Sequence, residues 1–220
     1  MESQHIDDRA IDAIPGADVG VGVRLRALGS FSQTSRAATA SYLTHALPPE
    51  DTMVSLIEEY FESIHWFSLV VLESKFRPSF DAVRGGLANL SDRPFLLLLS
   101  TMLGLAAWYR GHMSRSGHGR STEFWNDWSK RLIANSESQI VEVMNHNTVT
   151  AIQTLILLGS FYVYHGRPNL SFSLLGATVK AAQAAGLHRE TTHASFPDQE
   201  EKKRVWWTIY TWDRYATADY

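Results

Sequence analysis

The sequence predicts an all-α protein, an irregular multi-helix domain of antiparallel helix pairs around a central hydrophobic helix. The central helix is expected from Phe95 to Trp108, a run that is apolar on nearly all sides. Helical spacing of Val54, Ile57, Phe61 and Ile64 is the second observation. The third is a pair of apolar helical segments joined by about five residues, a spacing typical of an antiparallel hairpin. About seven helices are expected.

Composition narrows the class of protein. The 220 residues are 45% hydrophobic and 20% charged, which fits a domain large enough to bury a core. The formal net charge of −3 provides no basic field for a phosphate backbone, so autonomous DNA binding is disfavoured. The absence of cysteine excludes disulfides and thiolate metal sites, and it fits an intracellular protein.

No membrane or secretory segment is expected. The amino terminus is acidic and lacks an apolar core, so it does not resemble a secretory signal. The longest apolar run, Pro94 to Tyr109, is shorter than the ~20 residues of a membrane span. A buried core helix explains it better.

The first third of the chain predicts a flexible segment and then helices. Residues 1–34 carry scattered glycine and proline without helical periodicity. The sparse cluster Arg24, Arg26 and Arg36 is interpreted as a solvated linker, with nuclear import or an acidic partner as the alternative. Helices are expected at 35–46 and 51–66, then an extended crossing segment at 67–72. Pro78 is expected to interrupt any helix beyond that segment.

The second half predicts one long helix and then the hairpin. The long helix is expected from Ser121 to Asn145. The hairpin helices are expected at 148–164 and from an Asn169 cap to Ala185, where Gly186 closes the helix in the left-handed conformation. A last helix is expected to start at Asp198, with Glu201 at capping-box spacing and an apolar stripe formed by Val205, Ile209, Trp212 and Ala216. No consistent 34-residue repeat is present.

No catalytic, cofactor or metal site is predicted. His112 and His118 lie in a predicted surface loop without a third ligand at helical spacing. The carboxylates at 58–62 and 198–201 are interpreted as solvated helix faces or helix starts. The basic run Lys202, Lys203 and Arg204 occupies only the first turns of its helix, so nucleic-acid contact is the weaker interpretation.

The last forty residues carry a family resemblance. Gly186-Leu187-His188-Arg189, a short acidic loop, then Arg204, Trp206, Trp207, Tyr210, Asp213 and Arg214 resemble the signature of the fungal-specific transcription factor domain. This domain is the helical middle homology region of zinc binuclear cluster regulators. Segments 148–158 and 170–180, and Tyr60 to Trp66 with Phe76, resemble its earlier helices. The resemblance covers roughly residues 50–220.

The signature residues are interpreted as structural. Trp206, Trp207 and Tyr210 are expected inside the helical body, held against the Gly186 corner. His188 and Arg189 are expected to tie the helix end to a neighbour; a general base at His188 is the alternative. Asp213 and Arg214 are expected to form buried polar ties.

The resemblance implies a regulatory or effector domain of a fungal transcription regulator, in the nucleus and without enzymatic activity. The family's DNA-binding module needs six cysteines and this chain has none, so no direct DNA binding is expected. The family domain also continues past the last helix, so residues 35–220 are expected to be a C-terminally incomplete domain that self-associates or dissolves poorly. Expected partners are other transcription regulators, a second copy or a small-molecule effector. The alternatives are a truncated interaction protein and a small helical metabolite-binding protein or enzyme.

Overall fold

Eight α-helices dominate the part of the chain that the structure describes. The structure is a computed structural model; it describes residues 36–113, 121–189 and 194–218, and side chains as far as 214. The helices are α1 Glu50–Glu59, α2 Glu73–Val83, α3 Arg93–Met113, α4 Thr122–Glu137, α5 Ile140–Asn145, α6 Val149–Tyr164, α7 Pro168–Ala184 and α8 Phe196–Ala218. The all-α prediction is confirmed. The described residues belong to one compact unit.

Helix α3 is the central helix that the sequence predicts. It is 21 residues long and packs against α1, α4 and α6, which bury its residues from Leu96 to Ala107. By length and composition it could cross a membrane, because an apolar window between Leu90 and Met113 is long enough. The length argument from the sequence is therefore wrong. However, 67% of that window is buried inside the protein, as in a core helix.

Helices α3 and α4 also share buried polar contacts. Asn135 Nδ2 donates to Ser100 Oγ (2.8 Å), and Ser100 Oγ donates to the carbonyl of Leu132 (2.9 Å). Asn135 Oδ1 accepts from the backbone N–H of His45 (2.6 Å). Each of these polar groups is satisfied inside the core, so they set the register of α4 on α3 without leaving a buried donor or acceptor unpaired.

The α6–α7 hairpin is close to its prediction. Thr148 caps α6 by accepting from Ala151 N (3.2 Å). Helix α7 begins at Pro168 and not after an Asn169 cap, because the fixed φ of proline and its missing N–H suit the first helical position.

The end of α7 is confirmed. Gly186 has φ +71°. Gly186 N donates to Gln183 O (3.0 Å) and Leu187 N donates to Ala182 O (3.0 Å), the two hydrogen bonds of a Schellman motif. Leu187 folds back and is buried.

The helix predicted at 35–46 is the first of three secondary-structure predictions that are wrong. The segment expected to be a helix at 35–46 forms strand β1, Ala37–Ala38, which pairs antiparallel with strand β2, Leu87–Ala88, and then a 3₁₀ turn. Arg36 holds this corner by donating to Leu87 O (2.8 Å). Residues 1–34, with Arg24 and Arg26, and the loop residue His118 lie outside the described residues.

Pro78 lies inside α2 and does not end it. A proline in a helix interior costs about 3 kcal/mol, but Phe76, Phe80 and Val83 of the same helix are buried in the core. Burying these three side chains outweighs the lost hydrogen bond.

The long helix expected from Ser121 to Asn145 is divided into α4 and α5. Gln139 leaves the helical conformation at the break, with φ −117° and ψ 18°. Its side chain accepts from Arg93 Nε (2.8 Å) and donates to Tyr42 O (3.1 Å). Contacts to two distant parts of the chain therefore stabilise the break, and periodicity along one segment cannot reveal them.

Candidate functional site

Helix α8, which carries most of the family-like residues, starts two residues before its prediction. Ser195 precedes its first residue, and Asp198 N donates to Ser195 Oγ (3.4 Å) while Ser195 Oγ donates to Asp198 Oδ2 (2.5 Å). Ser195 is therefore the residue whose side chain caps the start of α8, and its hydroxyl, not its backbone N–H, is the group that Asp198 accepts from. The predicted capping box of Asp198 and Glu201 is wrong, because Glu201 points into the protein.

Glu201 is the centre of a buried polar network, and only 8% of it is exposed. Lys75 Nζ contacts both Glu201 and Asp198, the latter at 2.8 Å. Gln153 Nε2 donates to Glu201 Oε1 (3.0 Å) and to Val70 O (2.7 Å). The network thus joins α8 to α2, to α6 and to the segment before α2.

The network shifts the pKa values of Lys75 and Asp198 so that both side chains are stabilised in their charged forms. Burial alone would lower the pKa of Lys75, but hydrogen bonds to Asp198 and Glu201 raise the pKa above its usual value. The hydrogen bond from Lys75 lowers the pKa of Asp198. A sequence signal for the buried carboxylate exists, since Glu201 continues the apolar stripe of Val205 and Ile209 at intervals of four.

We expect Glu201→Ala to lower the free energy of unfolding by about 1–3 kcal/mol, because the buried amide of Gln153 loses its carboxylate acceptor and the ammonium of Lys75 loses one of its two carboxylate partners. Urea unfolding followed by circular dichroism measures the change. Glu200→Ala is the matched control: its surface ion pair with Arg204 (2.8 Å) should contribute about 0.3–0.5 kcal/mol. Equal losses in both variants would contradict a structural role for the network.

The aromatic residues of α8 divide between core and surface. Val205 and Ile209 are fully buried, whereas Trp207 is 59% exposed and Tyr210 is 40% exposed. Helical residues are separated by about 100°, so Trp207 lies opposite the stripe that Val205 and Ile209 define. The prediction that Trp207 and Tyr210 lie inside the helical body is wrong. Trp206 is half-buried.

The polar signature residues lie near the surface. His188 and Arg189 are exposed; the ring of His188 lies 5.7 Å from that of Trp206, so it does touch the neighbouring helix. Asp213 is half-buried and lines a shallow depression with Val179 of α7. Arg214 is exposed, with its guanidinium 5.3 Å from the Tyr210 ring centre. The prediction of a buried tie is therefore wrong for Arg214. His188 is not among the described residues of the depression that Asp213 lines.

A concave feature lies between α6, α7 and α8. It is an open cavity of about 490 Å³, here called the aromatic cavity. A smaller chamber of about 210 Å³ adjoins it and shares Phe67, Ser160 and Tyr164 with it. The aromatic cavity is lined by Phe67, Leu155, Ile156, Gly159, Ser160, Val163, Tyr164, Ser171, Phe172, Leu175, Thr178 and Trp212.

The lining of the aromatic cavity is apolar and uncharged. Its three aliphatic hydroxyls are already used: Ser160 donates to Ile156 O (3.0 Å), Ser171 to Gly159 O (2.9 Å) and Thr178 to Leu174 O (2.7 Å). None of the described residues that line either chamber is an acid, a histidine, a lysine or an arginine. Apart from the phenols of Tyr164 and Tyr109, the described lining therefore supplies mainly apolar contact and no titratable group for hydrolysis.

One wall of both chambers has an irregular backbone. After α1 the chain forms a π-helical turn, Tyr60–Ile64, and a 3₁₀ turn, His65–Phe67. Leu69 then adopts φ +51°, a conformation that non-glycine residues rarely take. We call Tyr60 to Leu69 the bent wall. Such irregular segments are frequent at functional sites.

The bent wall holds buried polar side chains and is tied to α8. Burial raises the pKa of the Tyr60 phenol and lowers the pKa of the His65 imidazole. His65 Nδ1 is buried without a hydrogen-bond partner among the described residues. Thr208 Oγ1 of α8 donates to Ser68 O (3.1 Å). A conformational change in the bent wall would therefore act on α8 through this hydrogen bond.

The other histidines of this region pack on aromatic rings. His165 stacks on Phe161 with ring centres 3.6 Å apart, and its ring lies 5.2 Å from Trp108. Burial lowers the pKa of His165. His112 lies at the exposed end of α3, 4.6 Å from the Trp108 ring. Within the described ranges, no group of three or more histidine and acidic side chains could hold a metal ion.

These features define a class: an all-helical domain with a largely apolar cavity and a polar network that joins α8 to α2 and α6. The sequence profile of the fungal specific transcription factor domain matches residues 57–220. The chain belongs to this family.

Curated relatives are transcriptional regulators. The chain is 26% identical over 165 residues to the lactose regulatory protein of Kluyveromyces lactis, covering 74% of this chain and 17% of the relative. It is 27% identical over 176 residues to cutinase transcription factor 1 alpha of Fusarium vanettenii, covering 76% and 18%. It is 23% identical over 180 residues to the thiamine repressible genes regulatory protein of Schizosaccharomyces pombe, covering 80% and 23%.

The chain spans about a fifth of the length of these curated relatives. No solved structure matches the chain. The family and the relatives support a transcription regulator, and the 220 residues contain no cysteine from which a zinc cluster could be built.

Proposed function

We propose that this chain acts in the nucleus as the regulatory domain of a fungal transcription regulator, and that it responds to an effector or a partner without reading DNA itself. The observation that supports the proposal best is the aromatic cavity, because its walls include α8, which carries most of the family-like residues, and the bent wall that contacts α8. Family membership supports the same function.

The proposed mechanism is a shift between two packings of the helical domain. An occupant of the cavity touches α6, α7, α8 and the bent wall together. If it binds one arrangement of these elements more tightly, the population moves toward that arrangement by the difference in affinity. The Glu201 network joins α8 to α6, and the bond from Thr208 to Ser68 joins α8 to the bent wall, so these contacts would carry the change to α8.

Charge supports the view that this chain does not read DNA. Its formal net charge is −3. In the described ranges, several arginines of the N-terminal helices are paired with acids: Arg77 with Glu58 and Glu73, and Arg110 with Glu59. In α8, Arg204 pairs with Glu200 (2.8 Å). A surface neutralised in this way attracts a phosphate backbone weakly.

The rival functions remain distinguishable. A metabolite-converting enzyme would need converging polar groups in its pocket, and none of the described residues that line the aromatic cavity is charged. A remnant that acts only as an interaction protein would bind other regulators or itself through the exposed aromatic side chains, without any response to an effector. The regulatory domain, the enzyme and the interaction protein therefore predict different effects on transcription.

The test is a tethered reporter. The full chain is fused to an unrelated DNA-binding domain, and reporter transcription in fungal cells is compared with that domain alone. We expect a change of about fivefold or more, which corresponds to a typical coupling free energy. The fusion with Leu99→Ala, which should be close to unfolding, is expected to weaken or lose the effect, and the fusion with Val141→Ala on the exposed face of α5 is expected to keep it. Output equal to that of the DNA-binding domain alone would contradict the proposal, as would tight DNA binding by the isolated chain.

A further inference from the structure

The residues around the aromatic cavity point to the chemistry of its occupant. The volume of about 490 Å³ lies within the range of sites for small organic molecules. The entrance is bordered by exposed apolar side chains, among them Val163 (51% exposed) and Phe172 (40% exposed). A cavity of this size with an apolar border can bury most of a compact ligand.

Electrostatic complementarity disfavours a charged occupant. None of the described residues that line either chamber is acidic, basic or a histidine. A carboxylate, phosphate or ammonium ligand would lose its hydration there without gaining a partner, which costs several kcal/mol. A sugar would also be poorly matched, since Ser160, Ser171 and Thr178 have already given their protons to backbone carbonyls.

Aromatic rings indicate the shape of the occupant. The ring of Phe67 lies 5.6 Å from that of Tyr164 and 5.8 Å from that of Trp212, so three rings border one side of the cavity. Flat rings gain contact area and favourable quadrupole interactions with such a border. The adjoining chamber continues past Phe67 and Tyr164 toward Trp66 and Trp108. An elongated planar molecule could reach into it.

From these observations we infer that the aromatic cavity binds one uncharged, largely apolar small molecule that contains a planar ring system, with Phe67 of the bent wall packed against it. This inference rests on the proposed function, because it names the class of effector to which the regulatory domain responds. It also assigns the bent wall a role, because this irregular segment places the ring of Phe67 at the border of the cavity.

The test is a titration of the full chain with Nile red, an uncharged planar dye whose emission rises in apolar surroundings. We expect saturable binding with one dye per chain. Val163→Trp places a larger side chain at the cavity border and should weaken binding by about tenfold or more. Val141→Trp makes the same change at a position that is 77% exposed on α5 and lines neither chamber, so it should leave affinity unchanged.

A second matched pair of variants tests the same prediction in case Val163→Trp does not fold. Phe172→Asp puts a charge on the border and should also weaken binding by about tenfold or more, whereas Phe196→Asp, at a position 80% exposed and outside the cavity, should not. Circular dichroism and the thermal unfolding midpoint show which variants remain folded.

Four outcomes would overturn the inference, and the absence of dye binding is the first. Unsaturable dye uptake would indicate a general apolar surface, and equal affinity in Val163→Trp and Val141→Trp would place the dye elsewhere. Dye affinity that falls as the protein associates in sedimentation experiments would show that a second copy covers the cavity. The reporter remains a separate test: a reporter effect without dye binding contradicts only this inference, whereas specific dye binding without a reporter effect contradicts the proposed function.

Discussion

Leu99→Ala is expected to lower the free energy of unfolding by about 2–5 kcal/mol. Leu99 is fully buried near the start of α3, the helix against which α1, α4 and α6 pack. Removing its side chain loses the transfer free energy of the buried methyl groups and leaves a cavity that three helices cannot close together. A domain typically has only about 5–15 kcal/mol of stability. The variant should therefore be close to unfolding at physiological temperature.

Urea unfolding of the full chain measures this effect. Val141→Ala is the control because Val141 is 77% exposed, and surface changes usually stay within about 0.5 kcal/mol. A Leu99→Ala variant as stable as the control would mean that α3 is not the centre of the core.

Gly104→Ala is expected to destabilise the protein by about 1–3 kcal/mol through overpacking, although alanine favours a helix. A Cβ at this position would meet Ile133 Cγ1 at 2.9 Å and Cδ1 at 3.0 Å. Ile133 is itself buried in α4, so it cannot move away freely. The glycine lets the backbones of α3 and α4 approach closely, and adding one methyl group forces them apart.

Gly176→Ala is expected to have the opposite effect on stability from Gly104→Ala. Gly176 also lies in a helix interior, in α7, but a Cβ there meets nothing within 4 Å. Alanine should therefore stabilise the protein by about 0.5–1 kcal/mol, because glycine loses more backbone entropy on folding. Thermal unfolding midpoints that move in the same direction for both variants would contradict the close approach of α3 and α4.

Local patterns predict much of this fold. The apolar run from Phe95 to Trp108 marks the central helix because it is apolar on every side, and Gly186 marks the end of α7 because only glycine takes its backbone conformation easily. Both signals lie within one turn or one helix. The start of α8 is predicted to within two residues for the same reason.

Features that depend on distant partners are not predicted. Pro78 continues α2 because Phe76 and Phe80 are held by the core, and Gln139 breaks a helix because Arg93 and Tyr42 bind its side chain. In α8 hydrophobicity alone would bury Trp207 and expose Glu201, and only their positions relative to the Val205–Ile209 stripe indicate the reverse.

The aromatic cavity could not be predicted, although its parts are visible in the sequence. Phe67, Tyr164 and Trp212 are far apart along the chain, and only the packing of α6, α7 and α8 brings their rings together. The expectation of a small-molecule effector comes from resemblance and remains a proposal. Of the signature residues interpreted as structural, Trp206 packs partly against its neighbours while Trp207 faces solvent.

The buried carboxylate of Glu201 limits how α8 can move. A leucine at this position could slide along its neighbours and still find apolar contacts. The carboxylate cannot, because a shift of one turn, about 5.4 Å, would separate it from the amide of Gln153 and the ammonium of Lys75. Any motion transmitted through α8 should therefore be a tilt or a rotation that pivots at Glu201, with its largest displacement at the far end of the helix.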